Sequence, residues 1–390
     1  MKKSNIFFNY QKNRIIDAII RVFAERNTFL ILGHQNPDED CISSMVGIAL
    51  IIKKFNKNAV LFLSAKLHDH FEYLINICDY NSVKILTDDT LAGRIQESEP
   101  IDSIIVCDTA KPSMIQSHPI IDGLMKKDDI LRIEIDHHLG GDSSYFGDPG
   151  YRLVSDATSA SELVGQLLLR LSKKRSLLRE FHMGNPFSRN LILAILTGIV
   201  GDTSMGKYLK SRKTKKYYRI FTSLYSSLLT RETIKKTNFS KIEDIYGELS
   251  RLSTEEDLWY KFMISKKKFS DSIGYVVLDP ADTVLPQLPF DNEVIVSVAR
   301  AVADELAEES GRLSLIAYYD HPDISDFIQL RVRRSQNYKE FDLRKILELF
   351  AIENGGGHEG AIGFRIEKDL VSSLDNYVTD LINGIEKALT

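Results

Sequence analysis

The stretch TFLILGHQNPDEDCISS, residues 28–44, joins a run of apolar and β-branched residues to a polar loop with one histidine and three acidic side chains. The run 28–33 predicts a buried strand, and His34, Asp38 and Asp40 follow where that strand ends. In an extended loop, residues i and i+2 point the same way, so the two aspartates are expected to reach one point in space. A divalent cation would relieve their repulsion, although Asp-rich loops also serve as ordinary turns and caps.

Short apolar runs alternate with helical patterns through the first 171 residues. The strands are expected at 28–33, 59–63, 82–86, 103–107 and 131–135, and the helices at 11–26, 42–55, 68–77 and 158–171. This alternation predicts an α/β fold with a mostly parallel sheet covered by helices. Asp108 and Asp136 follow or end two of the predicted strands. Ligands of such sheets bind beyond the carboxyl ends of the strands, so these residues are candidates for one shared site.

Two further motifs place acidic and imidazole groups at the ends of apolar runs. The segment 135–138 reads Ile-Asp-His-His, and the segment 198–203 ends in Asp202-Thr203. Each motif alone is compatible with an ordinary strand or helix end. Aspartate or histidine follows four separate strand or helix ends, and together these residues indicate a metal site. One imidazole would bind the metal and another would contact substrate.

In chain order, GHQNPDEDCISS, VCDTAKPS, IDHHLGG and GIVGDTS resemble the four phosphoesterase motifs of the DHH superfamily. Near the C-terminus, ENGGGHEGAIGF at 353–364, preceded by Arg333-Arg334-Ser335, resembles the Gly-Gly-Gly-His signature of the DHH-associated domain, DHHA1. The resemblance covers nearly the whole chain. It implies an N-terminal DHH domain with a mostly parallel sheet, a smaller C-terminal α/β DHHA1 domain, and an active site in the cleft between them.

The resemblance also implies a role for each matched residue. It implies two divalent ions, Mn²⁺ with Mg²⁺ or Co²⁺ as substitutes, which lower the pKa of a bridging water and stabilise an in-line displacement. The implied ligands are His34, Asp38 and Asp108 for one ion, and Asp40, Asp108, His137 and Asp202 for the other. The implied catalytic residues are Asp136, behind the ligands, and His138, at the scissile phosphate. The implied substrate-binding residues are Arg334, Ser335, Gly355, Gly356, Gly357 and His358. The glycine run would form an anion-binding nest.

Three positions depart from the pattern of the nanoRNase-like members. Glu39 stands where a glycine is usual, Cys41 where an alanine is common, and Ser204 where a glycine is frequent. None of these changes removes an implied ligand. They leave the substrate specificity open.

The implied activity is hydrolysis of short oligoribonucleotides or small nucleotides, such as nanoRNA, pApA or 3′-phosphoadenosine 5′-phosphate. Cyclic dinucleotides are less favoured, because a terminal-phosphate pocket gains nothing from a ring. The alternatives are an exopolyphosphatase and a manganese-dependent inorganic pyrophosphatase, whose first motif the segment 36–40 also resembles. A non-catalytic nucleotide-binding protein is the alternative from another class, and it is disfavoured because every matched ligand position is filled.

Charge, cysteine content and apolar stretches limit which partners and which location are expected for this protein. A net charge of −4 argues against a surface that grips long duplex nucleic acid. Cys41, Cys78 and Cys107 form no metal-type or disulfide pattern, which favours a reducing cytoplasm. The N-terminus has no signal-peptide pattern, and the longest apolar stretches, 45–52 and 191–200, are shorter than a membrane span. We therefore expect a cytoplasmic protein with small-molecule partners and no membrane partner, and we allow for a homodimer.

A chain of 390 residues exceeds the length of one ordinary domain. We expect a DHH catalytic domain at 1–253, a linker at 254–290 and a DHHA1 substrate-binding domain at 291–390. Its expected elements are helices at 291–308 and 340–350 and strands at 312–319, 326–334 and 361–366. The basic stretch 207–219, within the helical segment 207–238, is expected to be a solvated helix face.

Overall fold

The chain folds into two compact units, Met1–Arg251 and Leu252–Thr390. The computed structural model describes residues 2–6, 8–63, 67, 69–88, 90, 100–116, 118–139, 143–203, 212–229, 239–249, 251–282, 292–320, 325–335, 337–352 and 354–389. None of the helices in these ranges combines the length and apolarity that crossing a bilayer requires.

A six-stranded sheet, parallel throughout, forms the centre of the first unit. Its strands are β1 Thr28–Leu32, β2 Asn58–Phe62, β3 Lys84–Leu86, β4 Ser103–Cys107, β5 Leu131–Asp136 and β6 Arg152–Val154. The spatial order is β3-β2-β1-β4-β5-β6, so β1 and β4 lie at the centre. This arrangement confirms the predicted parallel sheet.

Helices surround this sheet. They are α1 Asn9–Glu25, α2 Glu39–Lys54, α3 Glu72–Tyr80, α4 Pro119–Met125, α5 Ala160–Leu171, α6 Arg175–Glu180, α7 Arg189–Thr203, α8 Arg212–Leu229 and α9 Ile242–Leu249. In β1, Ile31 belongs to the large core with α2 and α7, whereas Leu30 belongs to a second core with Ile121 of α4. Both sheet faces are therefore buried, which explains why the central strands β1 and β4 are almost continuously apolar.

The second unit contains a mixed six-stranded sheet. Its strands are β7 Lys268–Phe269, β8 Ile273–Val277, β9 Leu313–Tyr319, β10 Phe327–Arg334, β11 Gly355–His358 and β12 Ala361–Glu367, in the order β11-β12-β10-β9-β8-β7. Its helices are α10 Thr254–Ser265, α11 Asn292–Ser310, α12 Arg344–Leu349 and α13 Leu374–Leu389. Within this second sheet, β8 and β9 pair in parallel, and the other described pairs are antiparallel.

The segment 254–290, expected to be a linker, is largely part of the second unit where it is described. Ser253 and Glu256 form a reciprocal capping box that starts α10. Trp259 is fully buried in one core with Val276 of β8 and Val298 of α11. The prolines at 280, 286 and 289 are typical of a connector, but the apolar residues before them pack in this core.

The basic stretch lies partly outside the described residues, because 207–211 fall in a gap. Its remainder opens α8, where Arg212, Lys213, Lys215 and Lys216 are exposed. The opposite side of the same helix buries Phe221 and Tyr225 in the first unit's core. The described part of the stretch is thus a solvated face of an amphipathic helix, as expected.

Candidate metal centre

The carboxyl ends of β1, β4 and β5 bring the predicted metal ligands into one region of the first unit. His34 follows β1, Asp108 follows β4, and His137 follows β5. Asp40 and Asp202 reach the same region from the first turn of α2 and the last turn of α7. Parallel strands end at one edge of a sheet, so residues distant in sequence become neighbours there.

Asp108 occupies the centre of the group. Its Oδ2 lies 3.8 Å from His34 Nε2, and its Oδ1 lies 3.3 Å from His137 Nε2. The residue is 2% exposed and has a φ of 48°, a strained value for a residue other than glycine. Its backbone N–H donates to the carbonyl of Ile135 over 2.9 Å, which fixes the turn. The two oxygens therefore face two different imidazoles.

Two clusters share Asp108. In the first, His34 Nε2 lies 3.7 Å from Asp38 Oδ1, and the thiol of Cys41 lies close to His34 and Asp108. In the second, His137 Nε2 lies 3.9 Å from Asp40 Oδ2 and 3.6 Å from Asp202 Oδ2. Each cluster combines imidazole with carboxylate oxygen, a donor set that suits divalent ions such as Mn²⁺.

Asp38 and Asp40 do not share one point as the extended-loop argument expected. Asp38 is the N-cap of α2 and accepts a 3.0 Å hydrogen bond from the backbone N–H of Cys41. Asp40 already lies inside the helix. The helix starts three residues earlier than predicted because Asp38 satisfies one of its free N–H donors. The two carboxylates consequently face different clusters.

Asp40 is held by the N-terminus of α5. Its Oδ2 accepts from the backbone N–H of Ala160 at 2.5 Å, and its Oδ1 accepts from that of Ser161 at 2.9 Å. Free N–H donors at a helix N-terminus favour a negative charge there. These bonds orient a side chain that is 1% exposed.

Two acidic groups of the second cluster, Asp40 and Asp202, hold protons more tightly than usual. Burial and the charge of Asp108 raise the pKa of Asp40 to about 7, and burial and the charge of Asp40 raise the pKa of Asp202 to about 9. Burial opposes protonation of His137, but its contacts with Asp108 and Asp40 raise its pKa to about 10. Burial likewise opposes protonation of His34, while its contact with Asp38 raises its pKa to about 12. Four carboxylates thus face two imidazoles across the two clusters, so negative charge is in excess there.

One buried atom has an environment that suits a cation. Asp108 Oδ1 is buried and has no well-formed hydrogen bond among the described residues. A buried carboxylate oxygen in that state is costly, and a metal ion is a partner that relieves the cost. The residues present therefore fit a divalent metal, and these acidic and imidazole groups could hold one.

Asp136 and His138 form the neighbouring pair. His138 Nδ1 lies 2.8 Å from Asp136 Oδ1, with the carboxylate as acceptor. Burial acts to raise the pKa of Asp136, but the hydrogen bond from His138 and the charge of Lys3 lower it below its usual value. Sequence reasoning missed Lys3, whose Nζ lies 2.6 Å from Asp136 Oδ2. Nothing local in MKKSN distinguishes this lysine from a solvated one.

The predicted substrate-binding residues all lie in the second unit. Arg334 is turned inward: its side chain is 10% exposed and donates to the carbonyl of Phe341 over 2.7 Å. Ser335 is buried and donates to Glu308 over 3.2 Å. These contacts hold the loop that follows β10.

The glycine run is a strand instead of the expected nest. Gly355, Gly356 and Gly357 belong to β11, the edge strand that pairs antiparallel with β12. The side chain of His358 lies outside the described atoms. An edge strand carries backbone N–H groups that its own sheet does not use, so the run still presents hydrogen-bond donors.

Three comparisons relate the chain to known proteins. Residues 28–199 match the model of the DHH family, N-terminal domain. The chain is 28% identical over 204 residues to the cyclic-di-AMP phosphodiesterase GdpP of Geobacillus thermodenitrificans, covering 49% of this chain but 27% of that protein. It is 24% identical over 272 residues to the bifunctional oligoribonuclease and PAP phosphatase NrnA of Bacillus subtilis, covering 66% of this chain and 75% of that protein.

A solved structure shows the same fold over the whole chain. It is an exopolyphosphatase-related protein from Bacteroides fragilis, with a TM-score of 0.65, 18% identity, and coverage of 99% of this chain and 98% of that one. The family match covers the strand ends that carry five of the six predicted metal ligands, and the sixth, Asp202, lies three residues beyond it. This match identifies residues 28–199 as a DHH family, N-terminal domain.

Proposed function

We propose that this protein is a phosphoesterase that uses divalent metal ions to hydrolyse short oligoribonucleotides or small nucleotides. The observation that carries the proposal is Asp108, a buried carboxylate whose two oxygens face His34 and His137 separately. A carboxylate in that position is suited to bridge two ions. Structural carboxylates at strand ends are normally satisfied by backbone donors, and Asp108 Oδ1 is not.

The proposed ligand sets follow the two clusters. His34, Asp38 and Asp108 would hold one ion, and Asp40, Asp108, His137 and Asp202 would hold the other. Hard oxygen donors with imidazole favour Mn²⁺, and Mg²⁺ or Co²⁺ are plausible substitutes. When bound, the ions would make water a stronger nucleophile and offset the charge of the phosphate.

The chain's own groups then orient the reactants. Asp40 is fixed by the N-terminus of α5, so it cannot swing away from His137. His138 is 43% exposed on its side chain, in contrast to the buried Asp136 that accepts its Nδ1 proton. That hydrogen bond leaves Nε2 available to contact a phosphate oxygen or to move a proton to the leaving group.

The substrate class is inferred from chemistry and from relatives. NrnA is described as an oligoribonuclease and PAP phosphatase, and GdpP as a cyclic-di-AMP phosphodiesterase. This chain spans about a quarter of the length of GdpP, whereas it matches three quarters of NrnA. We therefore favour linear substrates with a terminal phosphate, for which the edge strand β11 would supply backbone donors. Cyclic-di-AMP is the second candidate, and the name of GdpP is what favours it.

A substrate panel tests the proposal. The Mn²⁺-loaded full chain is incubated separately with a 5′-phosphorylated RNA dinucleotide, pApA, 3′-phosphoadenosine 5′-phosphate, cyclic-di-AMP, pyrophosphate and polyphosphate, and initial rates are measured. We expect the highest kcat/KM on a linear nucleotide. Preference for pyrophosphate or polyphosphate would reassign the enzyme to the alternative classes, and preference for cyclic-di-AMP would support the second candidate. The Asp108→Asn variant is the control for contaminating hydrolases.

A further inference from the structure

Lys3 is the most deeply buried lysine among the described residues. The residue is 3% exposed, and its ammonium lies 2.6 Å from Asp136 Oδ2 and 2.8 Å from Glu134 Oε1. It also donates to the backbone carbonyl of Thr109 over 2.6 Å. An ammonium has three N–H donors, and these three oxygens surround it. Burying a lysine is unfavourable unless it is paired in this way, so the contact is specific.

The two carboxylates are fixed by different means. Glu134 Oε2 accepts from the backbone N–H groups of Phe146 and Gly147 at 3.2 and 3.1 Å. Asp136 divides its side chain between two partners: Oδ2 accepts from Lys3, and Oδ1 accepts from His138. Glu134 therefore keeps its position without Lys3. The side chain of Asp136 depends on Lys3 for one of its two oxygens.

The segment before α1 is attached on both sides of this lysine. Lys2 forms an isolated β-bridge with Ser144, and the backbone N–H of Ser4 donates to the hydroxyl of Tyr145 over 2.9 Å. Asn5 Oδ1 accepts from the backbone N–H of Asp156 over 3.0 Å. Several independent contacts thus hold Lys3 against Glu134 and Asp136 of β5.

We propose that Lys3 is a positioning residue of the phosphoesterase site, which holds Asp136 in the orientation that accepts the Nδ1 proton of His138 and leaves Nε2 directed at the substrate. The inference rests on the role of His138 proposed above. Lys3 acts through its neighbour: it fixes the carboxylate of Asp136, and that carboxylate fixes the orientation of the His138 ring and the proton on Nδ1. Lys3 itself touches no reacting atom.

The central test substitutes Lys3→Met, which keeps most of the length of the side chain and removes the charge. Lys2→Met is the matched control, because Lys2 is an exposed lysine in the same segment. With the substrate preferred by the wild-type full chain, we expect Lys3→Met to lower kcat about 10- to 100-fold, with KM changed less than about twofold. Lys2→Met should retain the wild-type values. An unchanged kcat in Lys3→Met would overturn the proposal.

A double-mutant cycle separates positioning from general support of the fold. If Lys3 acts through His138, Lys3→Met should have little further effect on kcat in a His138→Gln background. A general structural effect would instead multiply the two losses, and that result would overturn the proposal. Should Lys3→Met not fold, the charge-balanced pair Lys3→Met with Glu134→Gln replaces it, with Glu134→Gln alone as its reference.

A spectroscopic readout is independent of substrate. Nitrogen-15 NMR of the histidine rings, in the full chain with Mg²⁺, should show a protonated Nδ1 on His138, assigned by its absence in His138→Gln. Lys3→Met should lower the proton occupancy of that Nδ1, and an unaltered occupancy would contradict the proposal. If the wild-type chain hydrolyses none of the tested compounds, the proposed function fails, whereas this readout still decides the role of Lys3.

Discussion

The carboxylate of Asp108 lies 3.3 Å from the imidazole of His137 while its other oxygen faces His34. This relationship predicts that Asp108→Asn loses metal ions as well as activity. We expect turnover to fall by more than ~100-fold, since residues that only orient a metal ligand already cost up to about that much when they are changed. We also expect bound Mn²⁺ to fall below two ions per chain. Elemental analysis after gel filtration measures the metal content. Full Mn²⁺ occupancy in Asp108→Asn would refute the bridging role, and the exposed Asp128→Asn serves as a control.

Metal addition should stabilise the first unit. Burial and neighbouring carboxylates raise the pKa values of Asp40 and Asp202, so ionising them without a cation is unfavourable. An ion that binds only the folded chain, at 100 times its Kd, adds about 2.7 kcal/mol to the free energy of unfolding. Thermal unfolding of the full chain with EDTA, Mn²⁺, Mg²⁺ or Co²⁺ measures the shift. An equal shift in Asp108→Asn would mean that the ions bind elsewhere.

The helix α7 approaches the site too closely for a side chain at Gly198. A Cβ there would lie 2.1 Å from Ser161 Oγ and 2.7 Å from Asp40 Oδ1. We expect Gly198→Ala to lower the free energy of unfolding by about 1–3 kcal/mol and to weaken metal binding by displacing Asp40. Urea unfolding and metal titration measure the two effects.

Gly247 provides a matched control in another helix of the same unit. A Cβ at Gly247 meets nothing within 4 Å, and the residue is exposed in α9. Gly247→Ala should raise stability by roughly 0.5–1 kcal/mol, the usual gain in a helix interior. Equal behaviour of the two alanine variants would contradict the close approach at Gly198.

The edge strand β11 offers a contrast between adjacent glycines. Gly357 has a φ of 143°, and a Cβ there would lie 2.2 Å from the carbonyl oxygen of Ala361, whereas a Cβ at Gly356 meets nothing within 4 Å. We expect Gly357→Ala to destabilise the second unit and Gly356→Ala to leave it folded. If the strand contacts substrate, Gly356→Ala should raise KM roughly 10-fold, about 1.4 kcal/mol, with kcat little changed. An unaltered KM would remove β11 from the proposed substrate site.

Asp17 of α1 makes a bidentate ion pair with Arg170 of α5 at 2.9 and 2.7 Å, and these contacts lower its pKa to about 2. A lowered acidic pKa adds stability above its unfolded value, near 3.8, and that contribution is lost as pH falls toward 2. The pair is partly exposed, so Asp17→Asn should cost roughly 1 kcal/mol at pH 7. Urea unfolding between pH 7 and pH 3 should show this cost shrinking at the acid end. The exposed Asp79→Asn should show no such trend.

Much of the first unit was predictable because the apolar runs in its sequence match the buried strands of its sheet. Strands buried on both faces read as continuous apolar runs, and a parallel sheet brings their carboxyl ends together. That geometry alone predicted that His34, Asp108 and His137 would become neighbours. The boundary of α2 was less predictable, since Asp38 acts as a cap as well as a member of the site.

Other features depend on contacts that sequence patterns do not record. Lys3 meets Asp136 across 133 positions of the chain, and no periodicity signals such a pair. Gly355–His358 form a strand although glycine disfavours strands, because β12 supplies the pairing partner. The guanidinium of Arg334 donates to the backbone carbonyl of Phe341, and this contact depends on the conformation of the folded loop.

The distribution of the site along the chain has an evolutionary consequence. All six proposed ligands, together with Asp136 and His138, belong to Met1–Arg251, whereas the glycine strand belongs to Leu252–Thr390. On the proposed function, substitutions in the glycine strand would change substrate preference without altering any proposed metal ligand. Such modularity allows one catalytic scaffold to diversify its substrates through changes in the appended half alone.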